Sequence, residues 1–247
     1  MIWLTVFSIA MGFLETAVVV YLRKIYYPDG FAFPLTPVGN NMAITEFFRE
    51  AATIIMLAGI GIIAGKNASQ KFAFFVYCFA VWDIFYYVFL KLLLGWPDSL
   101  FTWDILFLIP VPWVGPVLAP CLVSLTMIVL TLSVLYFQEK GCNAHLKRKE
   151  WFLIITGGVI VVYSFISDYL NYISDKHLTS NIWTIAGKRN MFDEVAHYVP
   201  VSYNWWLFSA GEIIVLLGIF VFVKRVSKTK THDKSIQTSK SNVPLVR

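Results

Sequence analysis

The chain has 247 residues, of which 58% are hydrophobic and 14% are charged, and its formal net charge is +5. Soluble domains carry about 25% charged residues, so this composition excludes a water-facing globular protein. The sequence has no arginine-rich motif interleaved with exposed aromatic residues, so the positive charge does not indicate a nucleic-acid partner.

Six long apolar segments follow one another along the chain. A helix needs about 20 mostly apolar residues to cross a hydrocarbon core about 30 Å thick. We therefore predict an all-α fold, a polytopic transmembrane helical bundle of six spans, in one domain covering residues 1–225. The spans are predicted at residues 2–22, 43–65, 72–94, 114–137, 151–173 and 205–224.

In the second span, Gly61 and Gly65 form a GxxxG pattern. Small residues at this spacing let two transmembrane helices approach closely. The pattern is common by chance in apolar segments, so it indicates close packing only weakly.

Residues 95–113, between the third and fourth spans, form an unusual connection. Their apolar run of about ten residues is too short to cross a membrane, and four prolines between residues 110 and 120 interrupt regular helix after it. We predict a short re-entrant or interfacial helix here. The alternative is a seventh span over residues 101–112, formed by a bent continuation of the third.

Three further segments are expected to lie outside the membrane. Residues 226–247 consist largely of Ser, Thr and Lys, and we predict a disordered basic tail. The long loops at residues 23–42 and 174–203 are candidates for lids over the outer face of the bundle.

The basic residues favour one orientation in the membrane. With Arg49 and Lys91 assigned to spans, 13 basic residues lie on the side of the two termini and 5 lie on the other side. By the positive-inside rule both termini are cytoplasmic, and most of the excess comes from the tail. We expect an integral protein of the cell (inner) membrane, with membrane lipids as its surroundings.

Charged residues inside or at the ends of the apolar segments are the most informative feature of this chain. An ionised side chain costs roughly 2.5–3.5 kcal/mol at the centre of a transmembrane helix, so it is retained there only with a partner or a function. Because the spans alternate in direction, these charges fall in the outer half of the membrane. They are Glu15, Glu46, Arg49, Glu50, Asp83, Lys91, Asp168 and Glu212, while Asp104 lies near the end of another apolar run. Their agreement in depth predicts a shared polar pocket that opens on the outer side.

Helical spacing strengthens this prediction, because residues three or four positions apart share one face of a helix. The spacing puts Glu46, Arg49 and Glu50 on one face of the second span. It also puts Asp168 and Asn171 on one face of the fifth span.

Simpler roles remain open for several of these residues. The Glu46 group lies close to the membrane interface, where a solvated ion pair is unremarkable. Asp168 could cap the outer interface together with Asn171. Lys91 could extend its amine outward to the interface, or it could be the counter-charge of Asp83.

Desolvated carboxyl groups are suited to general acid–base catalysis. We assign Asp83 as the candidate proton donor, Glu15 or Glu212 as its partner and Arg49 as the anchor of an anionic group. The candidate binding or charge-network residues are Glu46, Arg49, Glu50, Lys91, Asp104, Asp168 and Asn171.

The sequence identifies no cofactor, and no metal site is predicted. A Glu-x-x-His pattern at residues 194–197 has the spacing used in di-iron bundles. Those bundles need two such motifs on helices, and this one is single and lies in a loop.

Three functions remain open. The first is an enzyme that acts on a lipid or isoprenoid-like substrate, and the plan of the chain is similar, without a shared motif, to that of small integral-membrane terpene cyclases. The second is a proton-coupled transporter of a small molecule, and the third is a structural or assembly subunit with a protein partner. A lipid-like or small-molecule ligand is expected for the first two.

Overall fold

A computed structural model describes residues 1–36, 39–108, 111–175 and 197–241, without the side chains of Asn40 and residues 229–241. Each of its six helices contains a stretch long and apolar enough to cross a membrane. The helices are α1 Ile2–Tyr26, α2 Asn40–Ala64, α3 Ala68–Leu94, α4 Leu118–Glu139, α5 Arg148–Asp175 and α6 Trp205–Ser241. The predicted all-α bundle of six spans is confirmed. The type of membrane and the side on which the termini lie stay predictions.

The ends of α3 follow from local sequence. Asn67 precedes the helix and its side-chain oxygen accepts a hydrogen bond from the backbone N–H of Gln70 at 3.0 Å, which satisfies one donor of the first turn. Gly95 ends the helix with a φ of +69°, a left-handed conformation that costs little only for glycine.

The connection between α3 and α4 is an antiparallel β-hairpin, made of β1 Trp103–Phe107 and β2 Trp113–Pro116. The predicted re-entrant or interfacial helix was therefore wrong for the described part of this segment, and so was the alternative of a seventh helical span. The physical reason is that aromatic and β-branched residues favour extended backbone, while the prolines that follow disfavour helix. Asp104 pairs with Gly115 in the hairpin, a pairing that the apolar run does not reveal.

Helix α3 is the centre of the first part of the bundle, where it packs against α1, α2 and α4. Helices α5 and α6 form a closely packed pair, which contacts the rest of the bundle through α4 and strand β2. This division leaves space between α3, α4 and the α5–α6 pair.

The two ends of the bundle differ. At one end, which we call the hairpin end, the β-hairpin packs with Phe33, Leu35 and Tyr198. The opposite end, which we call the terminal end, contains Met1 and an apolar cluster around Val134 and Phe222. Helix α6 continues at this end through residues 226–241, part of the predicted disordered tail, and the division into a membrane domain and a tail stays a prediction.

Candidate functional site

A cavity of about 200 Å³ lies at the hairpin end, between α1, α2, α3, the loop after α1 and the hairpin. We call it the polar pocket. Five carboxylates and two guanidinium groups line it, and six of these seven residues are among those predicted from the sequence. The charged lining residues are Glu15, Arg23, Glu46, Arg49, Glu50, Asp83 and Asp104.

Arg49 lies between two glutamates of the polar pocket. Its Nε is 2.7 Å from Glu46 Oε2, one helical turn away on α2, and its Nη1 contacts Glu15 on α1. Two carboxylates on one guanidinium leave the group without net positive charge. The predicted role of Arg49 as an anion anchor stays a prediction, and this geometry gives it no support.

Arg23 and Asp104 form a second ion pair in the polar pocket. The distance from Arg23 Nη2 to Asp104 Oδ1 is 3.0 Å, and the two residues are only 7% and 1% exposed. The guanidinium carbon lies 3.8 Å from the centre of the Trp96 ring and 4.4 Å from that of Phe31. Arg23 Nη1 is also buried and has no hydrogen-bond partner among the described residues.

Burial raises the pKa of Asp104 to about 6, against the pull of the Arg23 guanidinium and the Ile105 backbone N–H, which lower it. Arg23 was not among the predicted site residues, because the predicted loop after the first span included it. Glu15, Val19 and Arg23 follow one another at four-residue spacing, so an extension of α1 to Tyr26 would have put them on one face.

Glu50 and Asp83 are in none of the ion pairs found among the described residues, although Arg49 attracts Glu50 at longer range. Glu50 Oε2 accepts a hydrogen bond from the backbone N–H of Leu108 at 2.9 Å, and Asp83 Oδ2 accepts one from Ser124 Oγ at 2.9 Å. They are 7% and 8% exposed. Among the described residues, no Lys, Arg or His nitrogen lies within 4.0 Å of either carboxylate.

Aromatic side chains supply much of the remaining wall. The rings that line the polar pocket belong to Tyr26, Tyr27, Phe31, Trp82, Tyr86 and Tyr87. The loop after α1, a predicted lid, contributes to this wall and is held by two hydrogen bonds. Thr36 N–H donates to Tyr27 Oη at 2.8 Å, and Thr36 Oγ1 donates to the carbonyl of Tyr26 at 3.1 Å. Most of the other predicted lid, the loop at residues 174–203, lies outside the described residues.

A second cavity, of about 500 Å³, lies between α3, α4, α5 and α6, and we call it the apolar cavity. Among its lining residues, carboxyl and hydroxyl groups are supplied by Asp83, Ser124, Thr126 and Glu212, and the other side chains are hydrophobic. Glu212 Oε2 accepts a hydrogen bond from Thr126 Oγ1 at 2.7 Å.

The apolar cavity reaches the side of the bundle that faces lipid. Its wall includes Ile155 and Val159 of α5, which are 57% and 63% exposed. The hairpin residues Phe107 and Trp113 bound it at the hairpin end.

Asp83 lines both cavities. It lies near the middle of α3, and the Ser124 hydroxyl of α4 holds its carboxylate in place. The polar pocket and the apolar cavity thus meet at a carboxyl group, with Leu106 of the hairpin also part of both walls.

Three predicted site residues lie outside both cavities. Lys91 Nζ donates hydrogen bonds to the carbonyls of Gly95 and Pro97, both at 2.8 Å, at the end of α3. Asp168 accepts a hydrogen bond from Tyr198 Oη at 2.5 Å and others from two backbone N–H groups. Asn171 is exposed on α5. Lys91 thus contacts backbone carbonyls at the end of α3, and Asp168 contacts the segment that precedes α6. The site roles predicted for these residues stay predictions.

Among the described residues, no group of three His, Cys, Asp or Glu side chains is placed to hold a metal ion. The Glu-x-x-His pattern falls almost wholly outside those residues. Comparison of the chain with protein-family models, with curated proteins and with solved structures gives no match. Function is therefore inferred from the two cavities and their side chains.

Proposed function

We propose that this integral membrane protein is an enzyme that acts on a lipid-like substrate by acid–base chemistry at Asp83. The observation that supports the proposal is the position of Asp83 in the walls of both the polar pocket and the apolar cavity. An amphiphile with its chain in the apolar cavity and its head in the polar pocket presents the atoms between them to this carboxyl group.

The size and lining of the apolar cavity support the placement of the chain. Cavities that bind small molecules usually measure about 300–1,000 Å³ and have mostly apolar walls with few polar groups. This one measures about 500 Å³ and has four side chains with carboxyl or hydroxyl groups. Its exposed edge at Ile155 and Val159 gives a substrate dissolved in the bilayer a direct way in.

Asp83 and Glu212 supply the acid and the base. Protonated Asp83 donates its proton to a basic atom of the substrate, and the Glu212 carboxylate accepts a proton from another position of the substrate. The substrate gains one proton and loses one, so a rearrangement or isomerisation balances without a co-reactant. Glu212 is the better partner, because Glu15 is paired with Arg49 in the polar pocket, whereas Glu212 faces the apolar cavity.

The terminal end of the bundle supports an enzyme rather than a transporter. The apolar cluster there includes Ala73, Leu130, Val134 and Phe222, all at most 3% exposed. A proton-coupled transporter needs polar groups that can be reached from both sides of the membrane. A site whose polar groups lie towards one end of the bundle is consistent with an enzyme that takes its substrate from the bilayer.

The test uses purified protein in lipid nanodiscs, incubated in heavy water with a total lipid extract and analysed by mass spectrometry. We expect the wild type to convert one lipid species into a product that carries a solvent deuteron. Asp83→Asn should slow this conversion by about 10²–10⁴-fold, the usual contribution of a general acid or base. Glu139→Gln is the matched control, because it removes an exposed carboxylate at the end of α4.

Two results would overturn the proposal. One is a wild type that changes no lipid species but moves a solute across liposomes in response to a proton gradient, which is the behaviour of a transporter. The other is an inert wild type that retains a stoichiometric protein partner in mild detergent, which is the behaviour of a subunit.

A further inference from the structure

We propose that the polar pocket recognises a positively charged head group, so that the ligand is a long-chain amine or ammonium amphiphile. The inference rests on the proposed function, in which the polar pocket holds the head group of the substrate. The charged and aromatic side chains of the wall indicate the chemical class of that head group.

The charge balance of the wall is the first step. Five carboxylates and two guanidinium groups line the polar pocket. Arg49 is shared by Glu15 and Glu46, and Arg23 is paired with Asp104, so both guanidinium groups are already neutralised. The wall therefore has an excess of acidic groups, and an anionic head such as a phosphate would be repelled by it.

The second step concerns the two carboxyl groups left over, Glu50 and Asp83. Both are more than nine-tenths buried, both line the polar pocket, and each accepts one hydrogen bond from the protein. Asp83 is protonated in the proposed reaction, so Glu50 is the buried carboxylate whose charge an ammonium ligand would offset. Arg49 attracts Glu50 at longer range, but among the described residues no cationic nitrogen lies within 4.0 Å of it.

The aromatic wall is the third step. A cation over the face of an aromatic ring, within about 6 Å of its centre, is attracted by the negative face of the ring, and recognition of ammonium ligands commonly uses several such rings. Six aromatic side chains line the polar pocket. Its edge already holds a cation in this way, because the Arg23 guanidinium lies over the rings of Phe31 and Trp96.

Arg23 adds a detail about the head group. Its Nη1 is buried, belongs to a residue that lines the polar pocket, and has no hydrogen-bond acceptor among the described residues. A neutral oxygen beside the nitrogen of the ligand, such as a hydroxyl or ester oxygen, would accept this hydrogen bond. The complementary head is thus an amine with an adjacent oxygen acceptor.

The experiment compares single-chain amphiphiles that differ only in their heads. Purified protein in a neutral maltoside detergent is titrated with dodecylamine, dodecyltrimethylammonium, dodecanol and dodecyl phosphate, and the thermal unfolding midpoint is recorded. We expect saturable stabilisation by the two cationic probes and none by the other two. Glu50→Gln should weaken dodecylamine binding by about tenfold or more, equivalent to about 1.4 kcal/mol, while Glu139→Gln leaves it unchanged.

A second variant covers the case in which Glu50→Gln does not fold. Phe31→Leu removes an aromatic ring from the loop after α1 without changing the helices. It should weaken binding of dodecyltrimethylammonium and leave the response to dodecanol as in the wild type.

Several results would overturn the inference. They are equal or stronger stabilisation by dodecanol or dodecyl phosphate, an equal loss of binding in Glu139→Gln, or saturable stabilisation by calcium chloride that abolishes the effect of dodecylamine. The last result would assign the acidic wall to an inorganic cation. Dodecylamine binding without turnover of any lipid would refute the enzyme and support the head-group assignment. Asp83-dependent turnover together with stronger binding of dodecanol than of dodecylamine would support the enzyme and refute the head-group assignment.

Discussion

Arg23 at the end of α1 and Asp104 in strand β1 form a buried ion pair, although 81 positions separate them in the chain. The pair joins the β-hairpin to the helices at the edge of the polar pocket. The Arg23 guanidinium also lies over the rings of Trp96 and Phe31, so its charge contacts both a carboxylate and aromatic faces.

Loss of one partner of this ion pair should destabilise the protein. Arg23→Gln leaves the Asp104 carboxylate buried without its cation, and we expect the free energy of unfolding to fall by about 3–5 kcal/mol near neutral pH. The double variant Arg23→Gln/Asp104→Asn removes both charges and should recover part of that loss. Denaturant unfolding of the wild type, the single variants Arg23→Gln and Asp104→Asn, and the double variant measures both effects. A double variant that is as unstable as the sum of the single variants would show that the two side chains do not interact.

The ion pair of Arg23 and Asp104 also predicts that the stability of the protein depends on pH. Burial raises the pKa of Asp104 from 3.8 to about 6 in the folded protein, so the folded state binds this proton more tightly than the unfolded state. The stabilisation that comes from tighter proton binding at Asp104 is therefore fully present below about pH 4 and is lost as the pH rises through about 6. Removal of the Arg23 cation raises the pKa further, so the destabilisation by Arg23→Gln should shrink as the pH falls. Unfolding midpoints across a pH series test this, with Asp104→Asn as a variant that lacks this dependence.

The glycines of α2 predict a contrast between two neighbouring substitutions. A Cβ on Gly61 would lie 2.7 Å from the backbone nitrogen of Phe75 and 2.9 Å from the carbonyl oxygen of Lys71, whereas a Cβ on Gly59 meets nothing within 4 Å. Gly61→Ala should separate α2 from α3 and cost about 1–3 kcal/mol, the usual cost of overpacking. Gly59→Ala should be neutral or slightly stabilising, because alanine favours helix. Thermal unfolding of both variants checks the prediction, which an equal effect of the two would contradict.

Gly158 offers a way to fill the apolar cavity. It lines that cavity, and a Cβ there meets nothing within 4 Å. Gly158→Phe should fold, because its ring occupies empty space, but it should displace a bound chain. Native mass spectrometry should show lipid retained by the wild type and lost by this variant. Unchanged lipid retention would mean that the chain lies elsewhere.

At the terminal end, we expect the contact of Arg225 with Glu150 to affect stability and not ligand binding. Arg225 donates from Nε and Nη2 to the two carboxylate oxygens of Glu150 at 2.6 and 2.9 Å, and from Nη2 to the carbonyl of His145 at 2.7 Å. Arg225→Lys loses this forked geometry, so we expect a loss of stability of about 1.5–3 kcal/mol, the value of a hydrogen bond to a charged group. Binding in the polar pocket, at the opposite end, should not change. A binding defect in a variant that remains folded would contradict this separation of the two ends.

Some contacts of the candidate site were predictable because they are local. Glu46, Arg49 and Glu50 share a helix face by spacing alone, and the structure places all three in the polar pocket. Lys91 and Asp168 were predicted in the same site, and the structure places both outside the two cavities. Their partners lie in a turn and in a loop whose course the helical pattern does not specify.

The six spans could be predicted from the sequence alone, because transfer of a helix into hydrocarbon depends on the length and apolarity of a continuous segment, which can be read along the chain. The contact of Arg23 with Asp104 and the position of Asp83 in the walls of two cavities could be learned only from the folded structure. Both depend on distances between segments far apart in sequence, whereas the strand pairing of residues 103–116 is local and the apolar run did not indicate it. Those distances are set by how the helices pack, and the same apolar segments would satisfy the membrane in many other arrangements.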